Sequence, residues 1–252
     1  RFEDVLRRAQ EKGYAEADPT FDIEGIDTAH KLAILITLAW GVNIRLEDIY
    51  TAGISRITQL DIRYAKELGF RIKLLAIAKS VDGEVEARVH PTMIPAGHPL
   101  ASVDGVFNAI HLRGNAVDPV MLYGLGAGMM PTASAVAADL IDIARDIQKG
   151  VSQRIPSQGC ASGLIDVKIK DIETLELQYY LRFLVLDKPG VLSKISGALG
   201  SQNISISSVL QKDRKVGGAV PVVIVTHHAL EREVRMAVEE IEKFDVIMDK
   251  TL

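Results

Sequence analysis

The sequence has little of what marks several specialised classes of protein. Its single cysteine, Cys160, cannot form an internal disulfide, which is typical of a reducing compartment such as the cytoplasm. The formal net charge is −4, which argues against a nucleic-acid-binding surface. The longest apolar run is interrupted by Thr37 and ends after Trp40, so it is too short to span a membrane.

The remaining composition is that of an ordinary globular protein. The chain has 252 residues, 48% of them hydrophobic and 25% charged, which suffices for one large domain or two ordinary ones. Its 6 histidines and Cys160 lack the spacing of zinc ligands, so we expect no metal site. The chain starts at Arg1, without a methionine and inside a helical pattern that ends at Gly13. We therefore expect a further segment to precede it.

The pattern of residues 1–150 predicts a mostly antiparallel sheet covered by helices. Helices are expected at 25–40, 61–69 and 131–150. Strand patterns occur at 71–80, 84–94, 105–115 and 118–126, and the first two flank the turn signal VDG.

Composition changes after Gly150. Residues 151–177 contain the Pro, Ser and Gly typical of a linker. Residues 178–252 then read as strand, helix, strand, strand, helix, strand, which is the ferredoxin-like βαββαβ order. We therefore predict an α+β protein with one domain at 1–150, a linker at 151–177 and a second domain at 178–252.

Carboxylates are concentrated just before the first long helix, at positions 16, 18, 22, 24 and 27. Asp22 is placed to cap that helix, and acids near a helix N-terminus favour its dipole. Five acids are more than capping requires. A cationic small ligand, such as an amine, would explain the excess.

One lysine follows these acids on the same predicted helix. Asp27 and Lys31 are four residues apart and therefore share a helix face. We expect this face to continue into the core through Ile34, Leu35 and Leu38. Burial would then disfavour the charged form of Lys31 while Asp27 favours it, and a lysine held between those effects can transfer a proton. The simpler alternative is an exposed ion pair with no chemical role.

A glycine-rich loop joins the last predicted strand of the first domain to its last helix. Gly124, Gly126 and Gly128 permit close backbone approach, and the helix start offers N–H donors to an anionic or polar ligand. The spacing G-x-G-x-G differs from the dinucleotide-binding fingerprint. The alternative is a tight turn that packs the helix on the sheet.

Three stretches carry a family resemblance: GYAEADPTFDIEGIDTAHKLAIL at 13–35, GLGAGMMPTASAVAADLIDIAR at 124–145 and LDKPGVLSKISGALGSQNISISSVLQ at 186–211. The first two resemble the most distinctive motifs of homoserine dehydrogenases. The third resembles an ACT domain, the amino-acid-sensing module that many bacterial homoserine dehydrogenases carry. Leu125 departs from the pattern, because a proline is frequent there.

The resemblance implies NAD- or NADP-dependent interconversion of L-homoserine and L-aspartate 4-semialdehyde, on the route to threonine, isoleucine and methionine. It implies that Lys31 exchanges the proton of the alcohol and that Asp27 orients this lysine and the substrate hydroxyl. Glu16 and Asp22 fall on the acids that hold the ammonium group of the substrate. The resemblance also implies a homo-oligomer, a dimer or tetramer, in the cytoplasm.

Two further sites follow from the resemblance. The implied cofactor contacts are Gly13, Gly124, Gly126, Ala127 and Gly128. The implied effector site, with threonine as the expected effector, comprises Asp187, Pro189, Gly190, Val191, Leu192 and Asn203. The alternative is that Pro189-Gly190 is only a turn and Asn203 only a cap.

The family's glycine fingerprint, second active-site lysine and monovalent-cation site are not found in residues 1–252. We therefore expect no turnover from these residues alone. Two other hypotheses remain open from the sequence: an amino-acid-binding regulatory protein without chemistry, and a different amino-acid enzyme with a sensing tail.

Overall fold

The chain folds as two compact units of mixed helix and strand. The computed structural model describes residues 2–11, 18–152, 154, 163–212 and 218–252. The first unit is Arg1–Lys79 with Ala87–Val167, and the second is Ser80–Glu86 with Lys168–Leu252. The predicted α+β class is confirmed. The domain boundaries at 150 and 178 remain a prediction.

The first unit contains the helices and strands expected from its periodicity, and also a short helix and a two-residue strand that were not predicted. Two of its strands continue into Ser80–Glu86, which belongs to the second unit. Its helices are α1 (Phe2–Glu11), α2 (Thr20–Ile23), α3 (Ile26–Trp40), α4 (Gln59–Glu67) and α5 (Met129–Lys149). Its strands are β1 (Tyr50–Thr51), β2 (Phe70–Val81), β3 (Glu84–Pro95), β4 (Phe107–Leu112) and β5 (Val120–Leu125). Within the described part of the chain, none of the helices is both long and apolar enough to cross a membrane.

The strands of the first unit form two sheets rather than one. One sheet has the order β1-β3-β2, with β1 parallel to β3. The other is an antiparallel pair of β4 and β5, in which Asn108 lies opposite Gly124. Local sequence patterns predict strands but not their partners, which explains the difference.

The turn between β2 and β3 has the conformation expected of a two-residue hairpin. Asp82 and Gly83 both have positive φ, 54° and 79°. Such turns match the twist of the strands they join, and the Asp-Gly pair favours them. This confirms the hairpin predicted from VDG.

Helix α4 begins with a reciprocal hydrogen-bonded cap. The Asp61 backbone N–H donates to the Thr58 hydroxyl, and the Asp61 carboxylate accepts from the Thr58 backbone N–H at 2.8 Å. Asp61 is fully buried. This capping box satisfies two backbone groups that the helix itself leaves unpaired.

The second unit has the predicted ferredoxin-like order. Its elements are β6 (Glu176–Leu177), β7 (Tyr180–Leu186), α6 (Val191–Ser201), β8 (Ile206–Leu210), β9 (Ala219–Thr226), β10 (Ala229–Leu230) and α7 (Glu231–Ile241). Antiparallel strands lie in the order β7-β9-β8. The last segment runs along β7, where the Leu186 N–H donates to the Val246 carbonyl at 2.9 Å and the Met248 N–H to the Leu184 carbonyl at 2.8 Å.

Part of the predicted linker is held by strand-like pairing. Ile165 forms a bridge with Val42, and Ile169 forms one with Val85. The Val85 N–H donates to the Lys168 carbonyl at 3.0 Å, and Lys168 also pairs with Glu84. Residues 165–170 therefore have fixed neighbours, which linker composition alone does not indicate.

The core of the second unit forms between its sheet and its helices. Phe183, Ile195, Leu199, Ile224 and Ile241 are its fully buried large side chains. The burial of these apolar side chains is the main source of the stability of the second unit.

We expect Leu199→Ala to lower the free energy of unfolding by about 2–5 kcal/mol, because it removes buried methyl groups and leaves a cavity. Leu192→Ala is the matched control, since Leu192 lies on the same helix and is 40% exposed. Urea denaturation followed by circular dichroism measures both. Equal losses for the two variants would contradict this assignment of the core.

Candidate functional site

The acid-rich segment is folded into a short helix before α3. The Asp18 carboxylate accepts hydrogen bonds from the Thr20 hydroxyl at 2.6 Å and the Thr20 backbone N–H at 3.1 Å. These bonds, the hydroxyl first, lower the pKa of Asp18. Asp18 therefore has a local structural role. Gly13 and Glu16, both predicted site residues, lie outside the described residues.

Asp22 does not cap α3 as expected. It lies in α2, and its backbone carbonyl, not its carboxylate, accepts from the Gly25 N–H at 3.3 Å. The N-cap of α3 is Gly25, with no hydrogen bond from a side chain. The prediction of a cap was wrong because a separate helical turn intervenes between Asp22 and α3. The side chain of Asp22 is instead exposed.

Asp27 and Lys31 form the expected contact, one helical turn apart. The Lys31 Nζ donates to the Asp27 Oδ2 at 2.5 Å. The Lys31 side chain is 66% exposed and that of Asp27 is 39% exposed. An ammonium group offers three donors, so two remain in addition to this bond.

The surroundings of Lys31 differ from the prediction. Ile34 and Leu38, expected in the core, are 60% and 56% exposed, and Leu35 is also exposed. The buried residues of α3 are Ala29, Leu32 and Ile36. The expectation failed because this helix is apolar on nearly every face, so periodicity does not identify the buried one. In this chain, Lys31 is therefore surrounded by solvent and exposed apolar side chains.

The turn before α3 is packed against the loop that follows β1. The Ile54 N–H donates to the Ile23 carbonyl at 2.9 Å. A Cβ atom on Gly53 would lie 2.5 Å from the Ile23 carbonyl oxygen and 2.5 Å from the Glu24 Cα. Sequence analysis missed Gly53, because only the tertiary fold brings these two segments together.

The glycine-rich loop is shaped by a neighbouring asparagine. A Cβ atom on Gly126 would lie 2.2 Å from the Asn108 Nδ2, so this glycine makes room for the amide of the adjacent strand. Gly128 has a φ of 122° and is the N-cap of α5, with no hydrogen bond from a side chain. Gly124 has open space where a Cβ would be. The loop thus packs closely at Gly126 and leaves space beside Gly124. Asn108 was also missed, because strand pairing decides its position.

The second unit contains a cavity of about 500 Å³ next to the start of α6. Five of the six predicted effector residues line it, namely Asp187, Pro189, Gly190, Val191 and Leu192. Sequence analysis missed Val185, Leu186, Lys188, Gln211 and Val222, which also line it.

Asn203 is not among the residues that line this cavity. It has a φ of 58° and follows α6, where its N–H donates to the Gly200 carbonyl at 3.0 Å. Asparagine tolerates this left-handed conformation better than most residues. Its position at the helix end agrees with the alternative role as a cap.

Comparison with known proteins identifies both parts of the chain. The family profile described as "Homoserine dehydrogenase" matches residues 1–141, more than half of the chain. The chain belongs to the homoserine dehydrogenase family. The profile described as "ACT domain" matches residues 179–243, in the second unit. Both resemblances seen in the sequence are therefore confirmed.

Individual relatives agree with this assignment. A homoserine dehydrogenase of Pseudomonas aeruginosa is 44% identical over 246 residues, which cover 97% of this chain and 57% of that protein. One of Neisseria gonorrhoeae is 42% identical over 247 residues, covering 98% and 57%. The crystal structure of a homoserine dehydrogenase from Thiobacillus denitrificans has a TM-score of 0.89 at 46% identity, covering 100% of this chain and 57% of that one. The chain thus spans little more than half the length of these relatives.

We expect Asp27→Asn to change the free energy of unfolding by no more than about 0.5 kcal/mol, because an exposed ion pair within a helix contributes little. Asp61→Asn, which replaces the charged acceptor of the buried capping box by a neutral amide, should cost about 1–2 kcal/mol. Urea denaturation compares the two. If Asp27→Asn proved as destabilising as Asp61→Asn, the Asp27–Lys31 pair would be a structural element of the homoserine dehydrogenase fold.

Proposed function

We propose that the protein containing this chain catalyses the NAD- or NADP-dependent interconversion of L-homoserine and L-aspartate 4-semialdehyde. This reaction serves threonine, isoleucine and methionine synthesis. Membership of the homoserine dehydrogenase family supports the proposal, and so does the 2.5 Å contact between Lys31 and Asp27. The same membership does not favour a regulatory protein without chemistry.

The proposed proton transfer uses the Lys31–Asp27 pair. In the oxidation of homoserine, the hydroxyl proton moves to the Lys31 amine as hydride leaves the carbon. In the reverse direction, the Lys31 ammonium returns that proton to the forming alcohol. Asp27 accepts one N–H of Lys31 at 2.5 Å, which anchors the nitrogen to the first turn of α3.

The remaining acids suit the amino group of the substrate. Asp22 presents an exposed carboxylate on α2, directly before the turn at Ile23–Gly25 that leads into α3. We assign it, with Glu16, to the substrate ammonium. Carboxylates that surround an ammonium group hold it by charge-assisted hydrogen bonds. This arrangement would recognise the amino acid at one end while Lys31 acts at the other.

The glycine-rich loop fits the proposed cofactor role in one respect. There is open space where a Cβ on Gly124 would be, and the start of α5 has no side-chain cap, so a ligand can approach both. We assign the nicotinamide end of the cofactor to Gly124, Gly126, Ala127 and Gly128, and we retain Gly13 in this set. When bound, the nicotinamide accepts or returns the hydride.

The cavity of the second unit is the proposed effector site. The N–H groups at the start of α6, after Gly190, can hold a carboxylate, and Asp187 can hold an ammonium group. Aliphatic side chains of Val185, Val191 and Leu192 line the rest of the cavity. A small amino acid fits this combination, and we propose threonine as the feedback effector. Asn203, which does not line the cavity, is retained only as a neighbouring residue.

We also propose that the protein is a cytoplasmic homo-oligomer. No residue of α5 is buried in this chain. Large apolar side chains are exposed on β4, β5 and α5, among them Leu112, Leu122, Tyr123, Leu140 and Ile147. Exposed apolar surface of this extent is typical of interfaces. The cytoplasmic location is supported by the single cysteine.

We expect Lys31→Met in the full-length protein to lower kcat for homoserine oxidation by about 100- to 10,000-fold, because it removes the group that exchanges the proton. Lys66→Met, on the exposed side of α4, is the matched control and should keep kcat. Spectrophotometry of NAD(P)H formation measures both. Retention of near-normal turnover by Lys31→Met would refute the proposed mechanism, and no turnover by the unaltered protein would refute the proposed function.

We expect Gln211→Ala to weaken threonine binding by about 3- to 10-fold, since it removes one neutral hydrogen-bonding group from the cavity. Gln202→Ala, at the end of α6, is the control and should leave the dissociation constant unchanged. Isothermal titration calorimetry with threonine, isoleucine, methionine and lysine also identifies the effector. The absence of heat with all four amino acids would contradict an effector role for the cavity.

A further inference from the structure

The loop after β1 approaches the start of α3 more closely than any side chain would permit. The Ala52 N–H donates to the Val89 carbonyl of β3 at 2.8 Å, and the Ile54 N–H donates to the Ile23 carbonyl at 2.9 Å. Gly53 lies between these two bonds. The loop is therefore fixed to the sheet on one side and to the turn before α3 on the other.

A side chain at position 53 would collide with backbone. Its Cβ would lie 2.5 Å from the Glu24 Cα, the Ile23 carbonyl oxygen and the Glu24 Oε2. A glutamate side chain can rotate away, but the other two atoms can move only if the turn itself moves. Such distances are far inside van der Waals contact, so the turn must shift in any variant with a Cβ here.

Gly25 completes this contact from the opposite segment. Its φ of 77° is in the left-handed region, and a Cβ there would lie 3.1 Å from the Val89 Cγ1. The turn at Ile23–Gly25 is thus set against β3 and the loop together. Because α3 begins at Ile26, the same contact sets the position of Asp27.

Two of the acids proposed for the site lie on either side of this turn. Asp22 precedes it in α2, and Asp27 follows it in the first turn of α3. A shift of the turn would change both the separation of the two carboxylates and the placement of Lys31, which is bonded to Asp27. Misplacement of a catalytic group by about 1 Å can reduce turnover by about 100-fold.

We infer that Gly53 is a positioning residue for the proton-transfer pair: it allows the loop after β1 to hold the turn that sets Asp22, Asp27 and Lys31. The inference rests on the proposed function. Gly53 does not touch the substrate in this assignment and acts only through the backbone of Ile23 and Glu24.

The test compares Gly53→Ala with Gly97→Ala in the full-length protein. Neither glycine has a positive φ, but a Cβ on Gly97 would meet nothing within 4 Å. We expect Gly53→Ala to lower kcat for homoserine oxidation by about 10- to 100-fold, with the KM for the dinucleotide unchanged. We expect Gly97→Ala to retain full activity.

The primary deuterium isotope effect on kcat distinguishes misplacement of the proton-transfer pair from a loss of folded protein. With homoserine deuterated at the carbon that gives up hydride, a misplaced pair should raise the isotope effect, because the chemical step becomes slower. A smaller fraction of active enzyme would lower kcat and leave the isotope effect unchanged, which would overturn the inference. A kcat within twofold of the unaltered protein would overturn it as well.

If Gly53→Ala does not fold, a second pair of variants with a smaller steric conflict tests the same inference. Gly25→Ala and Gly105→Ala both place alanine at a positive φ, 77° and 68°, but only the first meets a neighbour within 4 Å. We expect a lower kcat and a higher isotope effect for Gly25→Ala than for Gly105→Ala. Equal values would overturn the inference. Absence of turnover in the unaltered protein would instead refute the proposed function.

Discussion

Close packing of backbone on backbone determines where the charged pair of this chain lies. Helix α3 has no side-chain cap, and the turn before it, which ends at the left-handed Gly25, lies between Gly53 on one side and Val89 of β3 on the other. Glycine permits both features, because it lacks a Cβ and tolerates positive φ. Main-chain geometry therefore sets the distance between the acids on either side of the turn.

The ion pair on α3 contributes little to the stability of the fold. Lys31 and Asp27 are joined by a short hydrogen bond, yet both are exposed, and such pairs contribute little to folding. Ile34 and Leu38 are exposed beside them. A ligand or protein surface that covers these apolar neighbours would also remove water from the pair. Electrostatic interactions strengthen when water is removed, so covering this surface would strengthen the attraction between Lys31 and Asp27.

The sequence predicted what depends on local pattern and missed what depends on distant contacts. The hairpin at Asp82-Gly83 and the βαββαβ order of the second unit follow from alternation, helical spacing and turn residues, and both are present. The buried face of α3 was wrongly predicted, because a helix that is apolar all round gives no signal of direction. Gly53 and Asn108 were missed for a different reason. Gly53 contacts residues that are far away in sequence, and Asn108 contacts a residue across a strand pair. No local sequence pattern identifies such contacts.

In the candidate sites too, local sequence predicts some of the residues, and only the fold brings in the others. Motif positions placed Asp27 beside Lys31 and brought five residues together around one cavity, because these residues are close in sequence. Lys188 and Gln211 complete the polar lining of that cavity. Gln211 comes from the end of another strand, so only the folded sheet places it there.

The exposed apolar face of α5 and of the β4–β5 pair also affects how this polypeptide behaves in solution. Unpaired strand edges and uncovered leucine and isoleucine side chains favour self-association at micromolar concentrations. Expressed by itself, the chain is therefore expected to engage chaperones and to aggregate. Charged residues such as Asp139, Asp142 and Arg145 on the same helix oppose this tendency only in part.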